Sequence, residues 1–137
     1  MDLQAVDKLR KVENLKMLVA DDEPAVLDNL RKIGEMMNFE VHAAKDGKEA
    51  WEVFSSVKPD VVISDIYMPF MNGIFLLNKI KEANENTLVI LITGYAHFKQ
   101  LVARNNHKPD GFLTKPFDLH KIFDMVTKLA KECGLMN

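Results

Sequence analysis

Five residues of the chain could do chemistry together, and each stands where an apolar run ends. "KMLVA" (16–20) runs into Asp21 and Asp22, and "DVVIS" (60–64) runs into Asp65. "TLVILIT" (87–93) ends in Thr93, and "GFLT" (111–114) is followed by Lys115. Three carboxylates brought close repel one another and favour protons or a bound cation. A hard divalent ion with oxygen ligands relieves that repulsion, and Mg²⁺ suits a site completed by waters and phosphate oxygens. Lys115 and Thr93 are then surplus to metal binding. An ammonium and a hydroxyl suit the oxygens of a phosphoryl group. The chemistry implied is phosphoryl transfer onto a carboxylate, with the metal and Lys115 neutralising charge on the equatorial oxygens.

Those residues need a scaffold, and the hydrophobic pattern supplies one. The apolar runs read as strands at 16–20, 39–44, 60–64, 87–93 and 111–114. The spacing predicts a helix over 24–38, with Pro24 in its first turn and Val26, Leu27, Leu30, Ile33 and Met37 on one face. Ala50, Val53, Phe54 and Val57 mark a second helix, and Ile74, Leu77 and Ile80 a third. A weaker helix is expected over about 97–105. The last is capped by Asp118, carries Leu119, Ile122, Phe123, Val126, Leu129 and Ala130, and has Gly134 beyond its end. Strand and helix alternate five times, and the strands are too apolar to face water. That pattern implies an α/β fold, a doubly wound five-stranded parallel sheet with helices on both faces. Ligands of such sheets sit beyond the strand C-termini, where the five candidate residues lie.

The chain has 137 residues, 47% of them hydrophobic and 28% charged, which fits one ordinary globular domain. A net charge of −2 gives no electrostatic case for nucleic acid or an anionic membrane surface. The apolar runs are far short of a membrane span, and no signal-peptide pattern opens the sequence. The single cysteine, Cys133, has no internal partner, so a reducing cytoplasm is expected.

Four stretches, in order, carry a family resemblance: "VADDE", "VVISDIYMPFMNG", "LITGYA" and "FLTKPF". Over roughly residues 15–133 the sequence resembles the receiver domain of two-component response regulators, and is similar to single-domain chemotaxis-type regulators. The resemblance implies the flavodoxin-like strand order 2-1-3-4-5. It implies that Asp65 is the phosphoacceptor, taking a phosphoryl group from a histidine kinase or a histidine phosphotransfer protein. Asp22 would be a direct metal ligand, Asp21 an acid reaching the metal through water, and the main-chain carbonyl of Tyr67 a further ligand. Mg²⁺ is the implied cofactor, with Mn²⁺ as a substitute. Thr93, Gly94 and Lys115 would bind the phosphoryl group, Thr93 and Phe112 would form the switch, and Pro116 would follow a cis bond. Such a domain is a phosphoacceptor that assists its own phosphorylation and dephosphorylation rather than an enzyme. It would signal to an output protein or domain, and a phosphorylation-dependent homodimer stays open. Tyr67 and Tyr95, two residues after the acceptor and the switch threonine, are expected to crowd an attacking water and slow loss of phosphate.

Residues 1–14 precede the resemblance and read as an extension or linker fragment, residues 15–133 as the receiver domain, and residues 134–137 as a tail. Where the family often has Gly-Ala before the fifth strand, this chain has Lys108-Pro109. The fourth helix is therefore expected to be short, mobile or docked differently. Asp22 alone could be a helix cap. A haloacid-dehalogenase-type phosphatase would need an acid two residues after its nucleophile, where Tyr67 stands. A flavodoxin-like cofactor binder would need a Gly, Ser or Thr phosphate loop where "DDEPAV" stands. A pseudo-receiver working only as a binding module would not need the intact acid set.

Overall fold

The computed structural model describes residues 15–95 and 98–137. The readings made for residues 1–14, and the first residue of the expected fourth helix, lie outside the described residues. The elements in chain order are β1 (Lys16–Ala20), α1 (Pro24–Met36), β2 (Glu40–Ala44), α2 (Gly47–Val57) and β3 (Val61–Asp65). They continue with α3 (Gly73–Ala83), β4 (Leu88–Thr93), α4 (Phe98–Arg104), β5 (Gly111–Thr114) and α5 (Leu119–Glu132). The five strands are all parallel and lie in the order β2-β1-β3-β4-β5.

Strand side chains alternate between the two faces, and the core divides accordingly. Leu18, Ala20, Val62, Val89 and Leu91 pack with Ala50 and Phe54 of α2, Leu76, Leu77 and Ile80 of α3 and Val102 of α4. Met17, Val19, Val61, Ile63, Ile90 and Ile92 pack with Leu30 and Ile33 of α1 and Ile122 and Val126 of α5. Helices thus cover both faces, as the unbroken apolar strands require. Trp51 is half-buried against the first cluster, stacks on Phe54 with ring centroids 5.4 Å apart, and carries Lys79 Nζ 4.5 Å above its ring.

Local chemistry sets the helix ends. Asp46, Asn72 and Asp118 cap α2, α3 and α5 by accepting backbone N–H bonds. The α1 helix closes through Asn38, left-handed at φ 67, with the Phe39 N–H donating to the Gly34 carbonyl. The α5 helix closes the same way through Gly134 at φ 85, with the Leu135 N–H donating to the Ala130 carbonyl. Leu135 and Met136 then pack back on the second cluster.

The fourth helix is short, at seven residues, and only its Val102 is buried. Its end has a physical cause. The Lys108 ammonium donates to the Ala103 and Asn105 carbonyls, where a cation favours the helix C-terminus. The Asn105 amide group also exchanges hydrogen bonds with the Asn78 amide of α3. The departure at Lys108-Pro109 thus coincides with a stop signal for α4.

Candidate functional site

Four strand ends and one loop build the site. Asp21 follows β1 directly and is fully buried. Its Oδ1 accepts the Glu23 N–H at 2.9 Å, which fixes the carboxylate at the root of α1. Asp65 ends β3 and is 4% exposed. Its Oδ1 accepts a long bond, 3.4 Å, from the Tyr67 N–H. Lys115 follows β5, with a side chain 14% exposed, and its Nζ lies 2.9 Å from Asp21, 3.1 Å from Asp65 and 3.2 Å from Glu23. The Lys115–Pro116 bond is cis. One ammonium therefore bridges acids from the ends of β1 and β3.

The loop after β3 is held by close backbone contacts. The Ile66 N–H donates to the Ile92 carbonyl, and the Gly73 N–H donates to the Ile66 carbonyl. A Cβ on Gly73 would lie 2.3 Å from the Asp65 carbonyl oxygen, so only glycine allows α3 to start this close to the acceptor strand. A Cβ on Gly47 would meet the Met71 carbonyl oxygen at 1.8 Å. Between these two glycines, Phe70 takes φ 68, a backbone region costly for a bulky residue, and is exposed. The break in the strand thus serves tight folding of the segment that carries Tyr67.

Asp21, Asp22, Glu23 and Asp65 each offer a carboxylate oxygen, and those oxygens lie within 4.8 Å of one another. The first helical residue is Pro24, and the cap position belongs to Glu23, which makes no side-chain cap bond. Asp22 is therefore not the helix cap, and its exposed carboxylate stays with the cluster. Glu23 carried no assigned role in the sequence reading. The signal that could have found it is the third consecutive acid in "DDE", aimed at the same strand edge.

Charge is crowded here. Burial pushes the Asp65 carboxyl up from its ordinary range and the Asp21 charge adds to that, outweighing the pull of Lys115. Burial likewise raises Asp21, against the Glu23 N–H and Lys115. Burial also works against the Lys115 charge, but Asp21 and Asp65 outweigh it and hold its proton more tightly than usual. Asp21 Oδ2 is near Lys115 yet has no properly angled hydrogen bond and no exposure. The contact is best described as an ion pair that leaves a buried lone pair open. An all-oxygen donor set with such an orphan fits a hard divalent cation such as Mg²⁺.

Thr93 is fully buried at the end of β4, and its Oγ1 accepts the Tyr95 N–H at 3.1 Å. Gly94 is exposed, with open space where a Cβ would stand. A cleft of about 440 Å³ is lined by Asp22, Glu23, Asp65, Tyr67, Gly94, Tyr95 and Lys115. The Tyr67 and Tyr95 rings, both in its lining, meet edge-on, centroids 5.8 Å apart. Phe112 does not line this cleft. It pairs with Leu91 in the β4–β5 register and packs, half-buried, against the α2–α3–α4 side of the sheet.

Residues 17–127 match the response regulator receiver domain family. The chain belongs to that family. Its receiver domain is 36% identical over 107 residues to the regulatory protein AtoC of Escherichia coli, covering 78% of this chain and 23% of that one. A receiver domain protein (CheY-like) from Methanospirillum hungatei superposes with a TM-score of 0.82 at 26% identity, over 88% of this chain and 97% of that one. The response regulator TrrA of Thermotoga maritima, solved with Mg²⁺ and beryllofluoride, gives 0.76 at 30% identity, over 84% and 98%. This chain spans about half or less of the length of the curated relatives it matches. Receiver domains are phosphoacceptors of two-component systems, and the strand order seen here is theirs. No described helix is long and apolar enough to cross a membrane.

Proposed function

We propose that Asp65 accepts a phosphoryl group from the phosphohistidine of a histidine kinase or histidine phosphotransfer protein, in a Mg²⁺-dependent reaction in the cytoplasm. The observation that carries this reading is the convergence of Asp21, Asp22, Glu23 and Asp65 within 4.8 Å around a single Lys115. An Asp65 carboxylate oxygen attacks phosphorus, the new O–P bond forms, and the N–P bond breaks. The imidazole nitrogen keeps the electron pair. Asp22, Asp65 and the Tyr67 carbonyl would hold the Mg²⁺ directly and Asp21 through water; the ion supplies positive charge against the phosphoryl oxygens. Lys115 bridges toward the same oxygens, and the open space at Gly94 leaves room for them.

Phosphorylation would draw the Thr93 hydroxyl from the Tyr95 N–H toward the phosphoryl group. Phe112 lies one strand over, and its half-buried position lets it move inward. The output is then a shift between two packings of the β4–α4–β5 region, limited in size by the differential contacts of the phosphoryl group. Incubation with acetyl phosphate and Mg²⁺ should add one phosphoryl group by intact-mass measurement. The addition should be absent without a divalent ion and absent in Asp65→Asn. Equal labelling of that variant would overturn the assignment.

A further inference from the structure

Glu23 occupies the N-cap of α1 without capping it. Asp, Asn, Ser or Thr there would satisfy an orphan helix N–H, so glutamate forgoes local stability. Its backbone is extended, φ −90 and ψ 113, and its carboxylate reaches Lys115, 92 residues away in sequence, at 3.2 Å. An ammonium has three N–H donors. Lys115 directs hydrogen bonds to Asp65 and Glu23, and Asp21 lies 2.9 Å from the ammonium as an ion-pair partner without one. A phosphoryl group on Asp65 needs at least one of the three donors.

The three partners differ in what they can yield. Asp21 is fully buried and pinned through Oδ1 by the Glu23 N–H, so it has nowhere to go. Asp65 is the reacting group. Only the Glu23 side chain, 62% exposed, can swing into water at little desolvation cost. We propose that Glu23 is a releasable tether on Lys115, a positioning residue that competes with the incoming phosphoryl group. This rests on the phosphoacceptor reading above. While the tether is in place, only a fraction of molecules offers Lys115 to a ligand, and apparent affinity falls by that fraction.

Beryllofluoride, titrated at saturating Mg²⁺ and followed by NMR, tests the tether on the full chain. Glu23→Gln should bind it about two- to fivefold more tightly than wild type, the scale of one lost solvent-exposed ion pair. Mg²⁺ affinity, titrated alone, should change less than that. Glu23→Asp keeps the charge but is too short to reach Lys115, and should resemble Glu23→Gln. Equal or weaker beryllofluoride binding by Glu23→Gln would overturn the tether, as would a wild-type-like Glu23→Asp. A tenfold loss of Mg²⁺ affinity would replace it with a metal-ligand role. A wild type that binds no beryllofluoride would overturn the phosphoacceptor reading and the tether with it.

Discussion

The two ends of the sheet each carry a partly buried lysine facing carboxylate, and they are built on opposite terms. At the N-terminal ends of β4 and β5, Lys81 Nζ donates to the Thr87 carbonyl at 2.7 Å, the Glu85 carbonyl at 3.1 Å and Asp110 Oδ2 at 2.8 Å. Asp110 Oδ2 also accepts the Val89 N–H. Nearby, Asp60 accepts the Lys16 N–H at 2.9 Å. Three donors meet three acceptors, and one positive charge meets one negative. At the C-terminal ends, four carboxylates crowd one ammonium, a formal charge of −3 if all ionise, and Asp21 Oδ2 has no hydrogen bond. At the first end the charged groups are satisfied by the protein itself, and the orphan beside them, the buried Thr87 hydroxyl, carries no charge. The other keeps surplus negative charge and an orphaned buried carboxylate oxygen, the pattern of a candidate binding site.

Removing a charge should therefore have opposite signs at the two ends. A loss of stability is expected at the satisfied end. Lys81→Met keeps much of the stem but leaves Asp110 and two carbonyls short of a donor, with the lysine side chain only 9% exposed in the native fold. Loss of one member of such a buried pair costs about 3 kcal/mol, discounted here toward about 2 because Asp110 is partly hydrated. Urea denaturation reads this directly, and a change below about 0.5 kcal/mol would break the comparison.

A cation is the counterpart experiment at the other end. Mg²⁺ should raise stability by RT ln(1 + [L]/Kd), about 2.7 kcal/mol at a hundredfold excess over Kd. Asp22→Asn should lose most of that gain, while Lys81→Met should keep it in full. An equal response of Asp22→Asn and wild type would remove Asp22 from the metal site.

Much of this contrast was legible before any coordinates, and the part that was not has a cause. The strands announced themselves because a parallel sheet covered on both faces must be apolar throughout, and their ends named Asp21, Asp22, Asp65, Thr93 and Lys115 by position alone. Glu23 was passed over because an acid before Pro24 also reads as helix-start chemistry, and only three-dimensional distance shows its side chain leaving the helix for Lys115. The Lys81–Asp110 pair was invisible for a related reason. A lysine in the last turn of a helix looks like a solvated residue, and its partner is 29 positions away. The need for glycine at position 73 is likewise hidden in the sequence. It comes from the 2.3 Å approach to the Asp65 carbonyl, a tertiary fact. Side-chain direction at Tyr67 and Tyr95 could not be inferred from spacing at all.

Neutralising the crowded end should stabilise the fold, by less than the effects above. Asp65 and Asp21 have raised pKa values in the folded state. The native protein then binds protons more readily than the unfolded chain, so stability falls as pH rises from the unfolded carboxyl range, near about 4, through the raised folded value. Above that window the full penalty is present; below it the penalty is gone. Asp65→Asn should therefore be about 1–2 kcal/mol more stable than wild type at neutral pH without metal, the order found when crowded buried charge is removed. The gap should close as pH falls toward about 4. A destabilised Asp65→Asn at pH 7, or a gap that widens in acid, would mean that Lys115 already balances the cluster.

The smallest effect concerns how long the charged end keeps its phosphoryl group. Tyr67 and Tyr95 line the same cleft as Asp65 and Lys115, and their rings meet edge-on, centroids 5.8 Å apart. Tyr95 also meets the Phe98 ring at 6.1 Å, so the aromatic rim continues into α4. Hydrolysis of an acyl phosphate needs a water in line with the breaking bond, and imperfect placement of a reactant carries a large rate cost. Two rings lining the cleft are expected to hinder such a water, whereas the satisfied end of the sheet has no reaction to guard. Autodephosphorylation should speed up about three- to tenfold in Tyr67→Asn or Tyr95→Ala, equivalent to about 1 kcal/mol of barrier. Urea stability of both variants should stay within about 0.5 kcal/mol, since both rings are more than half exposed. Phosphate loss measured by ³¹P NMR that is unchanged or slower in both would show that the rim shapes a partner surface and leaves the path of the water open.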